Sequence, residues 1–444
     1  MTFTLAILIG IPVLGILVFV HELGHFLMAK ACKINVLTFS LGFGAPLIKK
    51  SWKGTEYRIS AIPFGGYVRM AGENPEEEHN GSPDEFSSKP IWQRALVALA
   101  GPVANFLFAM LLLWIAFMYG VERPLYLDNS IVGAVVDSSA ADKAGFQPED
   151  TILAINGQSV KGWGQIETHL GQQLKKYVLK VKRDDQILKL DMRIKRSGPG
   201  IPENPTGGLL PPTLPSVVGS LTKNSVAKEH LQKGDTLLSV DGKAVSCFEQ
   251  FALEVGDYKP SDSAISINVK RQSKTFDVNL TPRFDSTRNR YLLGIGPAKP
   301  QSKYVSYGPG EAAGHMMDKS REYTTMIFDV LSKLFSGQVS ASQLSGPLGI
   351  IPASGMMALQ GFSNILDFMA LIGINLGVLN LLPLVITDGG LIVFLGIEAV
   401  RGKPLSLKTQ MTVNKVAMIF FLGLFIFVSI NDIIRIPDFL RIFK

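Results

Sequence analysis

Residues 3–20 (FTLAILIGIPVLGILVFV) carry no charge, and the apolar character continues through His21-Glu22-Leu23-Gly24-His25 to Met28. In lipid a backbone must satisfy its own hydrogen bonds, so a run of this length leaves the α-helix as its fold. Two more uncharged runs qualify, 95–119 (ALVALAGPVANFLFAMLLLWIAFMY) and 368–386 (FMALIGINLGVLNLLPLVI). A fourth, 416–430 (VAMIFFLGLFIFVSI), needs neighbours such as Asn431 and Ile433 to reach spanning length. Four spans of about 20 residues make this a multi-span α-helical membrane protein. Composition agrees: 47% of residues are hydrophobic and 18% charged, too apolar for an ordinary soluble enzyme. The net charge of +7 is spread over loops without interleaved aromatics, which points to the positive side of a bilayer and away from nucleic acid. Cys32 and Cys247 are too few and too far apart for a disulfide framework. The N-terminus lacks a basic leader, and Ala29-Lys30-Ala31 is a poor cleavage site, so the first run is read as a retained helix.

Lysine and arginine set the orientation. None precedes the first run, whereas residues 30–94 contain Lys30, Lys33, Lys49, Lys50, Lys53, Arg58, Arg69, Lys89 and Arg94. The N-terminus is therefore expected outside and residues 31–94 in the cytosol. Span two returns outward, residues 120–365 face the extracytoplasmic side, span three re-enters and span four leaves. Arg435, Arg441 and Lys444 would then lie outside, a mild departure from the rule.

The long outer region contains a repeat. GFQPEDTILAINGQSV (145–160) returns as HLQKGDTLLSVDGKAV (230–245), and VLKVKRDDQILKLDMRI (178–194) has a counterpart in SINVKRQSKTFDVNLTP (266–282). Two copies do not make a solenoid, so we expect two consecutive small α/β domains, 127–212 and 216–298. The remaining segments are span one (1–30), a cytosolic loop (31–94), span two (95–120), an amphipathic helix (310–336), span three (366–390) and span four (413–434). Within the loop, TEYRISAIPFGGYVRM (55–70) alternates like a strand pair turned at Gly65-Gly66, apolar enough to touch the membrane.

His21-Glu22-Leu23-Gly24-His25 fits H-E-x-x-H. On a helix the two histidines are i and i+4, so both imidazoles leave one face and can share a metal ion, with Glu22 placed to take a proton from water. Zinc suits hydrolysis because it acidifies water and polarises a carbonyl. Three letters match by chance often enough on a soluble helix. Inside a membrane span, three adjacent ionisable groups cost several kcal/mol each unless they serve a site. Depth then selects a third ligand. His21 lies roughly 26 Å below the outer start of span one. Asp367 and Asp432 sit at outer ends, and Glu398 lies beyond the membrane. Asp388 ends about 30 Å of inward travel along span three, level with the histidines, and opens an Asp388-Gly389-Gly390 turn.

HELGH in span one, GPVAN in span two and NLLPLVITDGG closing span three resemble the site-2 protease family of intramembrane zinc metalloproteases. The resemblance covers nearly the whole chain. It implies that His21, His25 and Asp388 hold Zn2+ and that Glu22 is the general base. It also implies that the inserted pair are tandem PDZ-like domains between spans two and three, and that the protein lies in a bacterial inner membrane. Asn375 and Asn380 match family asparagines that hold the substrate segment, although buried asparagines also serve as interhelical hydrogen bonders. Val385 and Thr387 depart from the family's third-span motif, which has proline and leucine there; the local backbone shape is what that puts in question.

A transmembrane substrate must unwind before its carbonyls can be attacked, and addition to an exposed strand edge is one way to hold it. Phe64-Gly65-Gly66-Tyr67 is the candidate edge; a membrane-surface anchor is the other reading of the same segment. The PDZ-like pair could bind the C-terminal tails of cut substrates or exclude proteins with bulky outer domains. The resemblance favours size filtering, with a pre-trimmed anti-sigma factor as substrate in a regulated stress-response cascade and signal-peptide remnants as further single-span substrates. Two rival classes stand against this. A silent adaptor would have no need of Glu22, and a metal transporter would need polar residues along spans two and four, which offer almost none.

Overall fold

The computed structural model describes residues 3–74, 81–171, 176–194, 206–222, 225–259, 264–285, 290–336, 346–384 and 387–442. They form two units, residues 1–121 with 305–444, and residues 122–304. The first unit opens with helix α1 (Phe3–Ala31), which contains the first apolar run and all of HELGH. Two long strands follow, β1 (Val36–Trp52) and β2 (Thr55–Met70).

These strands correct the expected strand pair within 55–70. The chain does not reverse at Gly65-Gly66; residues 55–70 form one bent strand, and its partner is the preceding segment. The reversal falls at Lys53-Gly54, where both residues have positive φ (46° and 79°), the combination a two-residue hairpin turn requires. Gly42, Gly44 and Pro46 interrupt the alternation of 36–52, which hid that strand in the sequence. Both strands bend, so four lanes result. Residues 66–70 run antiparallel to 36–41, residues 56–59 run beside 38–41 in the same direction, and 55–60 run antiparallel to 46–52. Among the described residues the 66–70 lane has a strand neighbour on one side only. Helix α2 (Ile91–Tyr119) completes this half of the unit.

The second unit holds the sequence repeat as a structural one. In the first module a four-stranded sheet runs in the order Gln158–Ser159, Thr151–Ile155, Tyr177–Arg183, Gln186–Met192, with the short helix α3 (Ala140–Lys143) and helix α4 (Trp163–Leu170). In the second the order is Lys243–Ala244, Thr236–Val240, Ile265–Arg271, Lys274–Leu280, with helix α5 (Phe248–Gly256). Each has its own apolar core, around Trp163, Ile152 and Tyr177 in one and Phe251, Leu237 and Ile267 in the other. Each also buries one carboxylate in the fork of an arginine: Asp150 with Arg183, and Asp235 with Arg271.

The first unit resumes with the amphipathic helix α6 (Pro309–Phe335), the short apolar helix α7 (Pro347–Gln360), α8 (Phe362–Leu381), α9 (Asp388–Arg401) and α10 (Leu407–Ile442). Among the described residues α1, α2, α8 and α10 are long and apolar enough to cross a membrane, consistent with four spans. Leu17, Leu113, Ala370 and Ile374 form the core between α1, α2 and α8. The third span is not one helix to residue 390. It stops at Leu381, Leu382 turns extended (φ −61°, ψ 146°), and Asp388 begins a new helix. Pro383 is the physical reason: it lacks an N–H and pushes the residue before it out of the helical region. Residues beyond 390, expected as a loop, are the rest of α9.

Candidate metal centre

His21 and His25 lie one turn apart on α1, both buried, with their Nε2 atoms 3.2 Å apart. The carboxylate of Asp388, first residue of α9, meets both: Oδ2 is 3.3 Å from His21 Nε2 and Oδ1 3.3 Å from His25 Nε2. One ligand atom from each residue falls within 4.8 Å of the others. Missing side chains make this approach possible. A Cβ on Gly101 of α2 would stand 2.2 Å from His25 Nε2, and one on Gly24 of α1 would stand 2.3 Å from the Ala100 carbonyl. With nothing on either glycine the two helices close together, as small residues allow in lipid. On the other side Thr387 ties the loop before α9 by donating its hydroxyl to the carbonyls of Leu384 (2.7 Å) and Leu382 (2.9 Å). Thr387 thus supports the loop; Val385 lies outside the described residues.

The hydrogen bonds show what the cluster lacks. His25 Nδ1 lies 2.8 Å from the Val97 carbonyl, which can only accept, so Nδ1 carries the ring hydrogen and Nε2 a lone pair. Among the described residues Asp388 Oδ2 is buried without a hydrogen-bond partner, with His21 Nε2 3.3 Å away. Two imidazole nitrogens and a carboxylate converge where little water can screen them, and such a set needs a cation. Two histidines and a carboxylate fit the ligand set of hydrolytic zinc, with the fourth position left for water or substrate. The acids set aside on depth are engaged elsewhere. Asp432 accepts from the backbone N–H groups of Gly346 (3.0 Å) and Gly349 (2.9 Å), and Asp367 from the Tyr323 hydroxyl (2.6 Å).

Glu22 lines the same cavity, of about 440 Å³, together with Gly65, Gly66, Tyr67 and Asn380. The Glu22 side chain packs against Gly66, where a Cβ would be 3.0 Å from its Cγ. The strand lane 66–70 therefore passes directly over the residue expected to act as base. The side chain of Phe64 lies outside the described residues. Asn380 Nδ2 is 3.3 Å from His21 Nε2. Asn375, about 140° away around α8, is not among the residues lining the cavity. Two participants escaped the sequence reading. Asn105, fully buried on α2, sits 3.2 Å from His21 Nδ1. Arg94 at the start of α2 grips Glu398 of α9 through two bonds, 2.6 and 3.0 Å, and so fastens the helix that begins with Asp388. Asn105 closes GPVAN, and an amide in an otherwise uncharged span was the available signal; nothing local marked Arg94 and Glu398 as partners.

Residues 9–424 match the family model for peptidase family M50. The chain is 32% identical over 440 residues to the regulator of sigma E protease of Haemophilus influenzae, covering 95% of this chain and 97% of that one. It is 34% identical over 455 residues to the regulator of sigma-E protease RseP of Escherichia coli, covering 96% and 98%. Among solved structures, the PDZ domain of an SdrC-like protein of Listeria monocytogenes matches 19% of this chain and 86% of its own, at 26% identity and a TM-score of 0.16, too low to establish a shared fold. These matches agree with the resemblance drawn from HELGH, GPVAN and NLLPLVITDGG, and narrow it to the sigma-E regulator type.

Proposed function

The chain belongs to peptidase family M50 and is a zinc metalloprotease, and from that premise we propose that it cuts a peptide bond inside the transmembrane segment of single-span membrane proteins. The observation that carries this reading is the convergence of His21, His25 and Asp388, with Glu22 beside them, where the first residue of α9 meets a helix long and apolar enough to cross a bilayer. His21, His25 and Asp388 would hold Zn2+, which when bound supplies a Lewis acid for the scissile carbonyl and makes water more acidic. Glu22 takes the proton from the attacking water and passes it to the leaving amide nitrogen.

The substrate enters as an extended segment added alongside lane 66–70, where the backbone of Gly65, Gly66 and Tyr67, continuing from Phe64, receives it. Asn380 orients a substrate carbonyl near His21, and Asn375 contacts the segment further up α8. The repeated modules at 127–212 and 216–298 act as a tandem PDZ-like pair that filters substrates by the size of their outer domains. The substrate class is a pre-trimmed anti-sigma factor, and signal-peptide remnants, in regulated intramembrane proteolysis. The protein sits in the bacterial inner membrane with its N-terminus and the modules outside and residues 31–94 in the cytosol.

The test uses purified full-length protein, Glu22→Gln, and a single-span substrate. We expect zinc in both proteins and cleavage by the wild type alone, with the variant down by roughly 10²–10⁴-fold. Equal cleavage by Glu22→Gln would remove Glu22 from its role, and a wild type without zinc would remove the site.

A further inference from the structure

A histidine can offer Nε2 to a cation only if its ring hydrogen is on Nδ1. For His25 a backbone carbonyl enforces this, that of Val97. For His21 the group facing Nδ1 is the side-chain amide of Asn105, whose Nδ2 lies 3.2 Å away. The two ends of an amide fill nearly the same space, so the hydrogen bonds they complete decide which end faces a partner. With the NH2 end toward Nδ1, the ring hydrogen is forced onto Nε2. It would then point toward Asp388 Oδ2 at 3.3 Å, with Asn380 Nδ2 at 3.3 Å and His25 Nε2 at 3.2 Å around it, and would occupy the lone pair that a cation needs. Turned about, Oδ1 accepts from Nδ1–H, and Nε2 keeps its lone pair for the NH2 of Asn380 or for a cation.

We propose that Asn105 is the positioning residue of the metal centre: its side-chain oxygen accepts a hydrogen bond from His21 Nδ1 and holds Nε2 as the ligand lone pair. The inference rests on the zinc reading above and deepens it, giving each histidine its own acceptor on α2. Such outer partners fix the tautomer and orientation of a ligand, and losing one weakens metal binding 10–100-fold.

The experiment compares full-length wild type, Asn105→Leu and Asn105→Asp in detergent. It measures zinc affinity by competition with a chromophoric chelator and the thermal midpoint of each metal-free protein. Asn105→Leu, similar in size but unable to accept, should bind zinc 10–100-fold more weakly with a metal-free midpoint close to that of wild type. Asn105→Asp, which can only accept, should return affinity to within a few-fold of wild type. Unchanged affinity in Asn105→Leu, or a folded Asn105→Asp as weak as the leucine variant, would overturn the proposal. Should either variant fail to fold, ¹⁵N spectra of histidine-labelled wild type decide, with His21 assigned by its loss in His21→Ala. Hydrogen on Nδ1 supports the proposal, and hydrogen on Nε2 overturns it. A wild type that binds no zinc sinks the site itself, while the spectra still report on Asn105.

Discussion

Buried carboxylates in the two units are treated in opposite ways. Asp150 and Asp235, in the repeated modules, are saturated: each accepts two bonds from an arginine and one from a backbone N–H, that of Gln147 or Gln232. Asp388, in the helical unit, lies 3.3 Å from each of two imidazole nitrogens and, among the described residues, keeps one buried oxygen without a hydrogen bond. An acid like Asp150 or Asp235 holds a fold together, because each of its two oxygens has a fixed partner. An unsaturated one stores attraction for something not supplied by the chain. The same residue type is saturated where its side chain is closed off and left partly unpartnered where 19% of it is exposed to the cavity beside two histidines.

The sharpest way to break this comparison is Asp388→Asn. Loss of the carboxylate should abolish stoichiometric zinc binding and cleavage while leaving the metal-free thermal midpoint nearly unchanged, since no hydrogen bond of the fold depends on Oδ2. A large drop in that midpoint would mean Asp388 is a structural acid after all. Next in size is Gly101→Ala. A methyl group 2.2 Å from His25 Nε2 must displace the ring or part α1 from α2. Zinc affinity should fall by roughly 10-fold or more, as for other disturbances around a ligand, and equal affinity in a chelator titration would show that the helices have slack.

Asp235→Ala tests the other side. Removing it strands the Arg271 fork and the Gln232 N–H, for a loss of about 1–3 kcal/mol. The loss should be read as faster hydrogen exchange in Thr236–Val240, with zinc content unchanged. The smallest effect expected is in pH. Its bonds to Arg271 hold the Asp235 carboxyl below the usual carboxylate range. That contribution is complete above the ordinary value near ~4 and fades as pH falls through the lowered one. Between pH 6 and pH 3 the protection factors of Thr236–Val240, which correct for the intrinsic slowing of amide exchange in acid, should fall in wild type and fall less in Asp235→Ala; equal slopes would assign the acid sensitivity to other groups.

Some of the site was legible because its determinants are local. His21, Glu22 and His25 share a helical face by spacing alone, and their membrane setting follows from the apolar residues around them. Asp388 was reached by counting depth along a continuous span, yet Pro383 breaks that span and a new helix delivers the carboxylate. The residue was reached all the same, because Asp388 opens that new helix within 3.3 Å of both histidines. The sheet was half legible: 55–70 is strand, but its partner, interrupted by Gly42, Gly44 and Pro46, had no clean alternation. Asn105 and the Arg94–Glu398 tie depend on which helices are neighbours and in what register, and no local pattern carries that.

By itself the sequence determined the four apolar helices, the repeated pair of modules and the chemistry of a metal-binding helix, since these follow from the order of side chains along one element. Tertiary structure alone decided that Gly101 lets α2 approach His25, that Asn105 meets His21 and that Asp388 goes without a full set of hydrogen bonds. Whether a buried polar atom is satisfied depends on its neighbours in space, and those come from opposite ends of the chain, as His21 and Asp388 do.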